Sequence, residues 1–313
     1  MNKESLIEDL CEAIVRLREK KPLIEQVTNY VTINDCANVT LAIGASPVMG
    51  DGFEEVDQMT RISDALVLNY GIINGASLKT MIKAGKTAND HNIGIVLENV
   101  GVGATQFRNE AIVDLLAEVQ PTIIKGNASE IMSLSGMDTK SKGVDSSADS
   151  LEAIDAALKV ARDHRCVCAV TGRIDIITDG RYLVKIYNES DLLSYITGTG
   201  CMITSLAASF LGGGASPLVS AVAGILAMSI AGEEAAVRES EENNGIASYR
   251  EDVMNNIYKF NQYSIRDLAK IEVEKVEYKY PIYLVTDEKA CKGKDFYKSV
   301  EASIMGGARI VQL

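Results

Sequence analysis

The sequence predicts an α/β fold in which a mainly parallel central sheet carries helices on both faces. Three observations carry that expectation. Short apolar, β-branched runs recur at Ala65–Leu68, Ile93–Leu97, Thr122–Ile124 and Val167–Val170, each closed within two residues by Gly, Asn or Thr. Helical patterns such as Ala111–Val119 and Leu151–Asp163 lie between them. Strand, loop and helix in repetition is the pattern of parallel strands joined by crossovers. The length of 313 residues suits one large α/β domain with a tail, or two modest domains.

In chain order, the first twenty residues read as an amphipathic helix, with Leu6, Leu10, Ile14 and Leu17 at helical spacing. The four apolar runs follow as strands. Between Ile176 and Val184, Asp179-Gly180 separates two β-rich runs, which predicts a hairpin and so an antiparallel edge on the parallel sheet. Leu192 to Gly232 carries no charged residue and is long enough to span a bilayer. Gly212-Gly213-Gly214 and Pro217 break it into two Ala-, Ser- and Gly-rich pieces, which predicts two tightly packed buried helices instead of a membrane span. Arg266 to Tyr280 holds eight charged residues in fifteen and alternates, as a solvated strand or linker does. Beyond it come a strand at Pro281–Asp287, a helical stretch and an apolar run at Ala308–Leu313, where the chain stops. The expected organisation is a first domain over residues 1–266, a charged linker over 267–280 and a truncated second unit over 281–313.

Composition narrows the function. Lys and Arg number 31 against 43 Asp and Glu, a formal net charge of -12. Such a chain repels phosphate backbones and anionic lipid, so neither nucleic acid nor membrane is an expected partner. An anionic substrate would need a metal ion or local amide dipoles beside it. Six cysteines, Cys11, Cys36, Cys166, Cys168, Cys201 and Cys291, lack zinc-type spacing. Cys166 and Cys168 would point to one face of a strand, poor geometry for a disulfide. With no signal-peptide core after Met1, reduced thiols in the cytoplasm are the expectation.

Four loops could carry chemistry. Ile196-Thr197-Gly198-Thr199-Gly200-Cys201 precedes the charge-free helix, and its alternate glycines let backbone amides turn toward an anion at a helix N-terminus. On spacing alone it fits equally a plain turn with a buried cysteine. Glu98-Asn99-Val100-Gly101-Val102-Gly103 puts a carboxylate and glycines after a strand, as a metal or phosphate site does, and as a solvated connection also does. Lys125-Gly126-Asn127-Ala128-Ser129-Glu130 offers a cation for phosphate and a carboxylate for water-held Mg²⁺, or two surface residues. Gln26–Asp35 has polar amides in an apolar context, which either cap structure or line a pocket. His91 and His164 lack ligand spacing and take no role.

Taken together and in order, Thr28-Asn29-Tyr30-Val31-Thr32, Ala45-Ser46-Pro47-Val48-Met49, Gly101-Val102-Gly103-Ala104-Thr105, Gly126-Asn127-Ala128-Ser129-Glu130, Ala169-Val170-Thr171-Gly172 and Ile196–Cys201 resemble hydroxyethylthiazole kinases of thiamine salvage. The resemblance covers roughly residues 5 to 265. It implies a ribokinase-like fold, Mg-ATP as phosphoryl donor and the alcohol of 4-methyl-5-(2-hydroxyethyl)thiazole as acceptor. It also implies a homotrimer with active sites between subunits. On that resemblance, Met49 contacts the thiazole, Asn29 lines its pocket and Gly198 is the substrate-side glycine. Lys125 and Thr171 face ATP, with Thr199 and Gly200 in the phosphate loop. Glu98 and Glu130 stand on the Mg²⁺ side, and Cys201 takes the place of the catalytic base, where a helix N-terminus would lower its thiol pKa. Two features depart from the family pattern: Glu98-Asn99 stands for Asp-Pro, and Lys125 for Arg, which loses bidentate phosphate geometry. Rival readings are another ribokinase-like alcohol kinase, such as one for hydroxymethylpyrimidine, and a non-catalytic thiazole- or nucleotide-binding protein. Tyr283–Asp287 and Gly306–Leu313 resemble the opening β-α-β unit of thiamine-phosphate synthase, a TIM barrel, of which one unit in eight cannot close.

Overall fold

Parallel pairing runs through the first six strands of the computed structural model, which describes residues 1–137, 150–277, 283–285, 295–305 and 310–312. The strands are β1 Leu23–Val27, β2 Ser46–Val48, β3 Ala65–Asn69, β4 Gly94–Glu98, β5 Ile123–Asn127, β6 Val167–Thr171, β7 Asp175–Thr178, β8 Tyr182–Ile186 and β9 Ile271–Lys275. The described residues join them in one sheet of order β2-β1-β3-β4-β5-β6-β7-β8-β9. From β6 onward pairing is antiparallel. The β7–β8 turn is the expected Asp-Gly hairpin, with Gly180 at φ +82°.

Helices α1 Lys3–Lys20, α2 Ile33–Ile43, α3 Val56–Ile62, α4 Gly75–Asp90, α5 Gln106–Glu118, α6 Ala128–Leu134 and α7 Ile154–Asp163 alternate with the strands. After β8 come α8 Thr199–Gly212, α9 Pro217–Glu242, α10 Ile246–Lys259 and α11 Gln262–Leu268. Side chains alternate across a strand, so Ala65, Val67, Val96, Ile123, Val167 and Ala169 enter one core with α1, α2, α8, α9 and α10. Leu66, Leu68, Ile95, Leu97, Ile124 and Cys168 are buried on the opposite face, where α4 packs on β3 and β4 and α7 on β6. Leu6, Leu10, Ile14 and Leu17 of α1 are buried as their spacing requires, each contributing about 1.5–3 kcal/mol.

The charge-free stretch forms α8 and the first part of α9, broken at Gly213–Ser216. Helix α9 is long and apolar enough to cross a membrane, but 89% of its apolar window is buried inside the fold. The cysteines among the described residues are free, and Cys166 and Cys168 are both buried.

One boundary moves. The chain divides into a unit over Met1–Lys275 and a unit over Val276–Leu313. The first unit thus ends later than residue 266, because half of the expected linker is structured. Residues 266–268 close α11, and 271–275 form β9 on the sheet edge. Its alternating charges are those of an edge strand with one wet face: Lys185 on β8 reaches Glu272 at 3.8 Å and also pairs with Glu274. In the second unit, β10 Tyr283–Val285 and β11 Ile310–Gln312 pair in parallel, and α12 Phe296–Met305 lies between them in sequence. The remainder of both predicted tail strands lies outside the described residues.

Candidate functional site

Strand β2 lies outside β1, and β3 lies on the other side of β1, so the chain leaves β1 and β3 in opposite directions. Such a reversal opens a crevice at the carboxyl ends of the strands, the usual ligand position in a doubly wound sheet. Asn29 follows β1 by two residues, and Asn69 closes β3.

From that crevice a row of polar side chains runs across the sheet. Asn69 pairs in register with Glu98, and Glu98 with Lys125. Each stands two residues beyond an apolar residue of the α8-facing core (Val67, Val96 and Ile123), so all three point to that face. Lys125 Nζ donates to Glu98 Oε1 at 2.8 Å, and Asn69 Nδ2 donates to Glu98 Oε2 at 2.5 Å. Asn69 Oδ1 accepts from Asn29 Nδ2 at 3.0 Å and from the Gly71 amide at 2.9 Å. Asn29 in turn accepts the amides of Val31 and Thr32 and directs Nδ2 to Cys201 Sγ at 3.6 Å. Asn29, Asn69, Glu98 and Lys125 are all buried. A buried ion pair persists only when its charges are paired and hydrogen-bonded, and this one is. Burial alone would depress the Lys125 pKa, but Glu98 overrides it and holds the ammonium above its ordinary value.

Helix α8 begins over this row. Gly198, its N-cap, has φ +90°, and a β-carbon there would meet Thr32 Cγ2 at 2.5 Å. A β-carbon on Gly200 would stand 3.0 Å from Glu98 Oε1 and 3.2 Å from Lys125 Nζ. Only glycines let the first turn come this close. No side chain caps the N-terminus of α8, so its first amides are available to an anion.

Cys201, in that first turn, departs from expectation. Its thiol pKa is raised, chiefly by burial and then by the Glu98 carboxylate, against the opposing pull of Thr32, Asn69 and Lys125. The helix N-terminus does not make it a ready thiolate, because the thiol is buried and the sheet puts a carboxylate beside it.

Two cavities flank the row. One, of about 730 Å³, lies at the ends of β1 and β3 and is lined by Val27, Thr28, Asp51, Phe53, Ile72 and Met81 among others. Thr28 Oγ1 is buried without a hydrogen-bond partner. The other, of about 460 Å³, is lined by Thr171, Gly172, Asp175, Ser190, Thr199 and Ile203 among others. Thr171 and Thr199, expected on the nucleotide side, therefore share one cavity. Asp175 is buried there, and burial pushes its carboxyl up to about 7 despite the Gly172 amide it accepts.

Other predicted residues sit differently. Met49 is half-buried just past the edge strand β2, separated by β1 from the polar row. Lys125 lies buried as the partner of Glu98. Glu130 closes a capping box on α6 and accepts the amides of Gly101 and Asn127 at 2.7 and 2.8 Å. Every oxygen of Glu98 and Glu130 already has a protein donor, and no group of three or more His, Cys, Asp or Glu that could hold a metal occurs among the described residues. A protein cage for Mg²⁺ is thus absent there. Asn99 Oδ1, buried without a partner, and Glu130 Oε2 lie close to Gly126, and Mg²⁺ commonly keeps its waters beside carboxylates and phosphates. Asn69 and Asp175 were not foreseen. For Asn69 the signal was a polar residue closing an apolar strand, as Glu98 closes the next one.

The hydroxyethylthiazole kinase family profile matches residues 14–263. The hydroxyethylthiazole kinase of Alkaliphilus oremlandii is 42% identical over 265 residues, covering 84% of this chain and 97% of that protein. The solved hydroxyethylthiazole kinase structure from Pyrococcus horikoshii superposes with a TM-score of 0.77 at 34% identity, covering 86% of this chain and all of the other. A ribokinase-like superfamily protein of Enterococcus faecalis, at 10% identity and a TM-score of 0.54 over 77% of this chain and 87% of the other, shares the fold alone.

Proposed function

The chain belongs to the hydroxyethylthiazole kinase family, and from that premise we propose how its site works. ATP is the phosphoryl donor and the hydroxyl of 4-methyl-5-(2-hydroxyethyl)thiazole the acceptor, a step of thiamine salvage. The observation that carries this reading is the uncapped start of α8 over the buried Glu98–Lys125 pair, between two cavities. Phosphoryl transfer asks the protein mainly for alignment and charge stabilisation.

The nucleotide lies on the side of Thr171 and Thr199, and the thiazole on the side of Thr28, Asn29 and Met49. Amides of Gly198 to Cys201 receive the transferring group at the helix terminus. Lys125 adds positive potential from beneath, tempered by Glu98. Cys201 meets the alcohol as a thiol, held by Asn29, and positions the hydroxyl for in-line attack. Mg²⁺, hydrated and held through water by Glu98 and Glu130, would supply neutralisation of the ATP phosphates.

We further propose a cytoplasmic homotrimer. Supporting it, Tyr30, Val31 and Phe53 expose apolar surface next to the thiazole-side cavity, as a covered interface would. The parallel pairing of β10 with β11, with α12 between them in sequence, supports reading the second unit as a β-α-β unit like that of thiamine-phosphate synthase.

A substrate panel tests the reading. ADP release with Mg-ATP is expected for the thiazole alcohol and not for hydroxymethylpyrimidine. The reverse preference would favour the other alcohol kinase, and thiazole binding without ADP release a non-catalytic protein.

A further inference from the structure

We propose that Asn69 is the positioning residue that couples the alcohol-binding half of the site to its phosphoryl-transfer half. The inference rests on the kinase reading above. A carboxamide has one acceptor oxygen and two donor hydrogens. The Gly71 amide can only donate, so it fixes Asn69 Oδ1 toward itself at 2.9 Å. That orientation leaves Nδ2 to Glu98, which it reaches at 2.5 Å. The same logic fixes Asn29: the Val31 and Thr32 amides, at 3.0 and 3.2 Å, claim its oxygen. Its Nδ2 must then turn to Asn69 Oδ1 and Cys201 Sγ. Backbone donors at two points thus orient an entire side-chain relay from Cys201 to Lys125.

Asn69 lines neither flanking cavity and is 1% exposed. It acts through its neighbours. On one side it holds the amide that faces the cysteine; on the other it presents Glu98 to Lys125 with the opposite oxygen, directly below Gly200. Without it, Asn29 Nδ2 and Glu98 Oε2 each lose a buried partner, and two groups on either side of the reacting centre become free to turn. Small misplacements of that kind reduce turnover more than binding.

The test uses the full chain with Asn69→Leu, which removes both links at similar volume, and Asn69→Asp, which keeps the acceptor for Asn29 and replaces the amide donor to Glu98 with a second carboxyl group. Asn69→Leu should lower kcat about 10–100-fold while the KM values for ATP and the alcohol stay within about 3-fold. In a double-mutant cycle with Cys201→Ala, the Asn69→Leu losses should be strongly less than additive, because both act on one relay. Asn69→Asp should lose kcat but remain closer to additive with Cys201→Ala, because its link to Asn29 persists. If Leu or Asp melts below the assay temperature, Asn69→Ser is read in its place and should show the same loss of kcat. An unmodified chain with no turnover on any alcohol would defeat the kinase reading. An active unmodified chain whose Asn69 variants keep kcat, lose activity only through KM, or add fully with Cys201→Ala would overturn this inference alone.

Discussion

Across β3, β4 and β5, the side chains of Asn69, Glu98 and Lys125 find their partners within the chain. At and beyond β2, Met49 is half-buried and Phe53 is exposed, and just past β1 Thr28 keeps a buried hydroxyl without a partner. The first region is built before any ligand arrives, whereas the second still has surface to cover. Reorganisation during transfer is costly, so a preorganised row under the phosphoryl group favours turnover. An incomplete pocket of small and apolar groups favours recognition of a compact heterocycle, which supplies the missing contacts. Substitutions in the row should therefore act on stability and kcat, and substitutions at the rim on KM.

The largest effect should follow Lys125→Ala. It leaves Glu98 charged and unpaired in a buried site, a loss of about 3–5 kcal/mol measurable by urea unfolding. Lys125→Met combined with Glu98→Gln should recover most of that stability without recovering activity. An exposed pair would show neither pattern. Next is Cys201→Ala, expected to lower kcat by about 10-fold, short of the 10²–10⁴-fold typical of a lost general base. A larger drop would mean that the thiol does take the proton, despite its raised pKa. Met49→Ala should raise the KM for the alcohol up to about 10-fold, the scale of lost apolar contact in a pocket, with kcat nearly unchanged. A fall in kcat alone would remove the distinction between rim and row.

A pH-dependent effect concerns Asp175. Its folded carboxyl titrates near 7, against an ordinary 3.8. Between those values the unfolded chain is ionised while the folded chain still holds its proton. This group's contribution therefore falls as pH rises from about 4 to 7 and stays low above it. Asp175→Asn keeps the acceptor for the Gly172 amide and removes the penalty. It should raise the melting temperature clearly at pH 8 and far less near pH 4, as thermal melts at both pH values would show. An equal shift at both would place its effect outside titration.

Much of the fold was legible in the sequence because each strand is an apolar run stopped by a polar residue, and each helix face repeats at helical spacing. Strand β9 was harder to read: Glu272, Glu274 and Lys275 alternate as on a linker, and only the pairing with β8 shows Ile271 turned inward. Within the site, Cys201 was visible as a residue in a helix's first turn, but the carboxylate that opposes its ionisation arrives from β4, about a hundred residues earlier in the chain. Asn69 was missed for the same reason, since its side-chain partners are Asn29, just past β1, and Glu98 on β4. Long-range register, unlike local period, is not written in any one segment.

The central claim is that this site moves a phosphoryl group onto the thiazole alcohol. Incubation of the full chain with Mg-ATP and 4-methyl-5-(2-hydroxyethyl)thiazole, followed by ³¹P NMR, reads that transfer directly. One new phosphomonoester per ADP formed is the predicted result. Inorganic phosphate with the alcohol unchanged, or ATP left intact, would contradict it.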